Sequence, residues 1–234
     1  QSSAVGEKVG IAGSVTVATV HRIARAEIGS SAKVNQSLTS PGNVEVNATT
    51  VNQVITLSGQ LKLPAIPGTP GQGYGWMPGL GSSQKAGAMA GIGINVQVLD
   101  IDSDAQAVIA QGAVVHASDI SVKAENQTLS VNIGMAGGRG AQRSINGSVI
   151  ESDMTKTTLA HLGEGSIEAS GELEVAATDD TKQFAVAGSL SLGGSTGVGA
   201  SVVDLGANRR TEALVGTLSA LPSSAGNVSG QGGA

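Results

Sequence analysis

Apolar and polar residues alternate along four segments of one stretch of the chain, residues 90–142. These segments begin at Ile92, Ala105, Ile120 and Val131, and in each the apolar residues occupy every second position. Such alternation predicts β-strands, because successive side chains of a strand point to opposite faces. A helix would need apolar spacings of three and four, which the segment from Ile120 lacks. We therefore predict four short strands in this stretch.

The same pattern recurs at a fixed interval along the chain. Val96, Val149 and Val202 are 53 residues apart, and Val15 lies 81 residues before Val96. Self-similarity at a fixed period is typical of stacked supersecondary units. We predict one repeat array over residues 1–234. The array has four units, of which the last is truncated: 9–89, 90–142, 143–195 and 196–234.

The fold class that this pattern favours is all-β, as a parallel β-helix (β-solenoid) of about 53-residue repeats. Strands of about five residues, joined by Gly, Asn, Ser and Asp, would give two to three rungs per unit. The spacing also allows an alternative, repeated antiparallel β-sandwich modules. In the first strand, one equivalent position is predicted to face outward and either to form a hydrogen-bonded ladder or simply to suit an exposed face: Ser14, Asn95, Ser148 and Ser201.

The first unit contains an inserted loop, residues 60–88, rich in Pro and Gly. Insertions in solenoids emerge on one face and frequently carry binding. Tyr74 and Trp76 lie in this loop and are a weak candidate ligand site, with flat surfaces for sugar rings or a protein partner. The other interpretation is that Trp76 packs over a rung edge and blocks strand pairing there.

The composition changes this picture mainly by exclusion. Aromatic residues make up 1% of the chain, so the core must be thin and aliphatic. The net charge of −5 provides no basic surface for nucleic acid, and no apolar run is long enough to predict membrane insertion. The chain has no cysteine, which leaves no disulfide and no thiolate metal site. Because it begins with Gln1, we expect a piece of a longer protein.

Candidate chemistry is sparse. Asp100, Asp102 and Asp104 alternate, so their carboxylates share one face of an extended segment; we interpret them as a solvated edge, with a weak calcium site as the minority interpretation. The three histidines occupy different positions in their units, which argues against a repeated metal site. Carboxylates do not converge with Arg or Lys along one groove, so we predict a protein that is not an enzyme and has no cofactor apart from that calcium.

Two phrases of the repeat resemble a known class of protein. Residues 199–205, Gly-Ala-Ser-Val-Val-Asp-Leu, and residues 166–177 are similar to the repeats of giant bacterial surface and secreted adhesins, of the filamentous-haemagglutinin and leukotoxin-like type. The resemblance implies a β-helical shaft, extracellular or at the cell surface, with adhesion or structural display as its task. Neighbouring repeats of a longer parent chain would be its partners.

Three functional hypotheses follow from these observations. The first is a non-enzymatic structural shaft or adhesive segment of a large bacterial protein. The second is a carbohydrate-binding or polysaccharide-cleaving β-helix that uses the Tyr74 and Trp76 loop to bind host or surface glycans. The third is a self-assembling extracellular fibre, since open rungs at the ends of an array invite stacking.

Overall fold

The computed structural model describes residues 9–36, 42–59 and 89–217, and the regular structure in these ranges is entirely β. No helix in them could span a membrane. The strands are β1 (Val9–Ile28), β2 (Lys33–Val34), β3 (Val44–Gly59), β4 (Ala90–Ile109), β5 (Val114–Ala117), β6 (Ile120–Gly140), β7 (Arg143–Leu162), β8 (Ser166–Ala169), β9 (Leu173–Gly193), β10 (Thr196–Leu205) and β11 (Asn208–Val215).

These strands form three parallel sheets. Sheet A has the order β1-β4-β7-β10, with β11 also paired to β7; sheet B has the order β2-β5-β8; and sheet C has the order β3-β6-β9. Every strand pair in the described ranges is parallel. The all-β prediction is therefore confirmed, and the arrangement is compatible with a parallel β-solenoid. The antiparallel sandwich alternative is wrong, because hairpin-connected modules would pair their strands in opposite directions.

The register of sheet A aligns the residues that the repeat predicts. Val15 pairs with Val96, Val96 with Val149, and Val149 with Val202. Side chains that bond across adjacent strands are accordingly 81 residues apart between β1 and β4, and 53 residues apart between β4 and β7. The interval along the chain is thus the interval between hydrogen-bonded neighbours.

The number of strands in a unit differs from the prediction. The segments that begin at Ile92 and Ala105 are joined in β4, and those that begin at Ile120 and Val131 are joined in β6. Because β4, β5 and β6 pair in turn with β7, β8 and β9, one unit makes one turn of the stack and not two to three. The residues between the predicted strands contain neither Gly nor Pro, and they remain extended.

The resulting body is broad and flat. At a rise of about 3.3 Å per residue a 20-residue strand is roughly 66 Å long, whereas each turn adds only about 4.8 Å along the stack. Sheets A and C pack face to face, since β4 contacts β6 and β7 contacts β9. Sheet B closes one side, which we call the closed edge. At the opposite side, the turn edge, Ala141 and Gln142 join β6 to β7.

The closed edge has a conventional interior. Small and medium aliphatic side chains from all three sheets are buried there, in keeping with a chain that has few aromatic residues. This core consists of Val44, Val46, Ala48, Ala105, Ala107, Ile109, Ala113, Val115, Ala117, Ile120, Val122, Ala124, Ala160 and Leu162. The inserted loop 60–88, with Tyr74 and Trp76, lies outside the described residues.

Candidate functional site

The half of each long strand that approaches the turn edge is inverted: its polar side chains face inward and its aliphatic side chains face outward. In β4, Asn95 and Gln97 are each 0% exposed. Ile94, which lies between Gly93 and Asn95, is 50% exposed. Inward and outward positions alternate along the whole of β4 without a break. In the turn-edge half, the positions on the same face as the buried Ala105 and Ala107 are therefore occupied by polar residues.

Sheet C shows the same inversion. In β6, Ser130 and Asn132 are fully buried, and they continue the inward face that begins with Ile120. Val131 between them points out, as do its register partners Ile55 and Phe184, which are 59% and 56% exposed. Both outer faces of the turn-edge half are therefore apolar.

Hydrogen bonds between the sheets hold the polar interior together. Gln97 of sheet A reaches Thr56 and Asn132 of sheet C, and Ser58 donates to Gln97 Oε1 at 3.2 Å. Ser148 donates to the carbonyl oxygen of Gly134 across the same gap, at 3.1 Å. Buried amide and hydroxyl groups need such partners, because an unpaired one costs about 1–3 kcal/mol.

Nearest the turn edge the two sheets approach too closely for most side chains. A Cβ on Gly93 would lie 2.6 Å from the carbonyl oxygen of Gly137 and 2.4 Å from Asn146 Oδ1. Asn146 fills this space, donating to Ser191 Oγ at 2.6 Å and to the carbonyl of Leu190 at 3.0 Å. Gly93 in β4 and the hydrogen-bonded amide of Asn146 in the next turn thus make the interior thin and polar at this edge, and we call this region the wedge.

The equivalent position of the first predicted strand needs a correction. Ser14, Asn95, Ser148 and Ser201 are register partners, and Asn95 Nδ2 donates to Ser148 Oγ at 3.1 Å, so a polar ladder is present between those two residues. Asn95 and Ser148 face inward, however, not outward as predicted. The flanking valines, which were expected to form the core, face solvent instead.

A second polar layer crosses the interior midway along the strands. Ser103 bonds to Asn126 of its own turn and to Thr50 and Asn52 of the preceding turn. In the next turn the register partner of Ser103 is Lys156, whose ammonium donates to Asp179 Oδ1 at 2.5 Å and to Thr181 Oγ1 at 2.7 Å. A neutral group and a cation therefore occupy equivalent sites in adjacent turns.

Burial governs the electrostatics of this layer. The Lys156 side chain is 0% exposed, and that of Asp179 is 5% exposed. Removal of the ammonium from water lowers the pKa of Lys156, although its bond to Asp179 opposes that shift. Asp179 Oδ2 has no hydrogen-bond partner among the described residues. The pair joins sheet A to sheet C, and the preceding inward residue of β7 is the buried, apolar Met154.

The exposed aliphatic residues of sheet A form one continuous patch, which we call the aliphatic band. Its residues lie in register on four adjacent strands and point away from the interior. Val15 is the most exposed of them, at 74%. The exposed members are Ile11, Val15, Val17, Ile94, Ile145, Val149, Val198 and Val202.

The three aspartates of β4 lie on the outer face of sheet A, beside this band. Asp102 Oδ2 is 2.9 Å from His21 Nδ1, and Asp100 is exposed. Asp104 is buried, and burial raises its pKa, while a hydrogen bond with Thr157 opposes the shift. In the described part of the chain no group of three or more His, Cys, Asp or Glu side chains is arranged to hold a metal ion.

No family model matches the chain, and neither a curated protein nor a solved structure does.

The inverted half was missed although the sequence carries a signal for it. The apolar residues around Ile94 have even numbers, whereas those around Ala107 have odd numbers. In one unbroken strand, two sets of opposite parity must face opposite sides. The same change of parity separates Val122 from Val131 in β6. Recognition that neither interval contains a turn would have predicted the outward-facing aliphatics.

Proposed function

We propose that the chain is a non-enzymatic structural shaft or adhesive segment of a large bacterial extracellular or cell-surface protein, with neighbouring repeats of the parent as its partners. The single observation that carries the proposal is the unbroken parallel register, in which whole 20-residue strands pair from one turn to the next. The resemblance of the repeats to those of giant bacterial adhesins supports the extracellular setting.

The direction of the hydrogen bonds supports a mechanical role. Ladder bonds run between turns, along the axis of the stack, and the β4–β7 and β6–β9 interfaces consist of strands about 20 residues long. A pull along the axis therefore loads a long row of bonds at once. Turns that repeat the same register also distribute the load evenly.

The shape of the cross-section supports a role in presenting surface as well as a role in adding length. The turn from β4 to β7 uses 53 residues, yet it lengthens the stack by only about 4.8 Å. This is an inefficient way to gain length, but it produces outer faces about 66 Å wide. A protein of this shape offers surface to its surroundings, and the aliphatic band lies on that surface.

Two measurements on the full chain test the proposal. In single-molecule pulling along the stack, we expect turns to release one at a time, with each 53-residue turn adding roughly 180 Å of contour length. A polysaccharide depolymerisation assay and a glycan array form the second arm. Turnover of any polysaccharide would contradict a non-enzymatic shaft, as would release of all turns in one step at low force.

A further inference from the structure

The aliphatic band of sheet A is a continuous apolar surface on a regular sheet, and apolar patches of its size are often interaction sites. From Ile92 to Val98 it extends about 20 Å along the strands, and four strands extend it about 19 Å across. The resulting patch of about 400 Å² is comparable to the largest apolar patches on monomeric proteins, which are often functional.

The relief of the band is self-complementary. One column of side chains consists of valine alone, in register: Val15, Val96, Val149 and Val202. The adjacent column, two residues earlier on each strand, is lower because it contains glycine or alanine on three of the four strands: Gly13, Ile94, Gly147 and Ala200. The valine column is therefore a ridge, and the adjacent column is a groove that only Ile94 interrupts. The ridge of a second copy can fill this groove.

The charges at the two margins of the band select how a second copy would lie. One margin of the band is the one nearer the turn edge. Among the described outward positions at this margin of β1, β4, β7 and β10, Arg143 is the only cation, and it is exposed. The other margin is an acidic row of exposed carboxylates: Asp100, Glu151, Asp153 and Asp204. None of these five side chains makes an ion pair with another described residue of its own chain.

Only one of the two simple two-fold arrangements satisfies those charges. If the axis runs parallel to the strands, the acidic rows of the two copies face each other and repel. If the axis runs along the stack and passes over Ser148, strands of the two copies run in opposite directions. Arg143 of each copy then faces the acidic row of the other, and each valine ridge lies over the other copy's glycine groove.

We propose that two copies of this chain pair side by side through the aliphatic band of sheet A, about a two-fold axis parallel to the stack. Isologous contacts of this kind are the commonest in homo-oligomers. Each copy contributes about 400 Å², which is half of the 800 Å² per partner in a standard interface, so the pairing is weak and depends on concentration. It stands on the band alone and goes beyond the proposed function.

Sedimentation velocity over a range of concentrations tests the pairing on the full chain. We expect a monomer–dimer equilibrium that Val149→Lys abolishes, because a charge would be buried at the centre of the interface. Val186→Lys, at an exposed aliphatic position on the outer face of sheet C (57% against 40% for Val149), is the control and should leave the dimer intact. A strict monomer at every concentration would overturn the proposal and would point to a cover from within the chain.

A charge-reversal series tests the orientation. Arg143→Glu should weaken the dimer about tenfold, since the two-fold axis makes one substitution remove two ion pairs. Adding Asp100→Lys and Asp153→Lys to that variant should restore it. Failure of the rescue, loss of the dimer in Val186→Lys, or partition of the protein into neutral lipid vesicles instead of dimers would each overturn the proposal. None of these outcomes bears on the pulling experiment, so the two proposals fail separately.

Discussion

Lys156 Nζ lies 2.5 Å from Asp179 Oδ1, and the two side chains, 0% and 5% exposed, connect the facing sheets. Thr181 completes the arrangement by bonding to both groups. Two charges at such a site stabilise the fold only as a pair, because each alone would be an uncompensated buried charge. The adjacent turn has Ser103 at the equivalent position, so the pair belongs to one turn and not to the repeat.

Removal of one of these two charges should therefore lower the stability of the fold. We expect Asp179→Ala to lower the free energy of unfolding by about 3–5 kcal/mol, measured by urea denaturation, because it leaves the Lys156 ammonium buried without its counter-ion. Glu174→Ala is the control, since it breaks the exposed pair Lys123–Glu174, whose side chains are 47% and 41% exposed. That change should cost less than about 1 kcal/mol. Similar losses in both variants would contradict the buried pairing.

Asp104 predicts a pH dependence of stability. Burial raises its pKa above 3.8 in the folded state, so between 3.8 and the folded pKa the native protein binds more protons than the unfolded chain. Stability should therefore fall as the pH rises through that window. Asp104→Asn removes the charge and keeps an acceptor for Thr157, and it should be more stable than the parent at neutral pH.

Thermal unfolding of both proteins across the acidic range measures this effect. The advantage of Asp104→Asn should shrink as the pH falls toward 3.8. An advantage for the parent at neutral pH would contradict a buried carboxylate. Asp100→Asn, at an exposed position of the same strand, should show neither effect.

The wedge at the turn edge predicts opposite outcomes for two glycines. Gly93→Ala should destabilise the protein by about 1–3 kcal/mol, because its Cβ would meet the backbone of Gly137 in the facing sheet. Gly147→Ala, on the outer face of β7, has no atom closer than 3.9 Å to the new Cβ and should be neutral or slightly stabilising. Chemical denaturation of the two variants measures the difference. Equal tolerance at both positions would mean that the sheets are farther apart.

The alternation of apolar and polar residues predicted much of this fold, but it did not predict which face of each strand is buried. Val15, Val96 and Val149 are register neighbours because the repeat aligns them, and their strand conformation follows from the period of two. Alternation assigns Asn95 and Val96 to opposite faces, yet it is symmetric between in and out. The usual preference for a buried valine then selects the wrong side.

What overrides that preference is the continuity of the strand. Ala105 and Ala107 are fixed inside by the aliphatic core at the closed edge, and the chain between them and Asn95 makes no turn. Each inward position is then dictated from the closed edge, so Asn95 must be buried, and there its Nδ2 donates to Ser148 Oγ. The Tyr74 and Trp76 prediction, outside the described residues, remains a prediction.

Cysteine labelling of adjacent positions in β7 tests the inverted arrangement most directly, since the chain has no cysteine of its own. Ser148→Cys and Val149→Cys place single thiols on the inner and outer faces of one strand, and their reaction with a thiol reagent under native conditions reports access to solvent. At concentrations low enough to keep the chain monomeric, we predict rapid reaction at position 149 and protection at position 148 until the protein unfolds. Rapid reaction at 148 with protection at 149 would contradict the account.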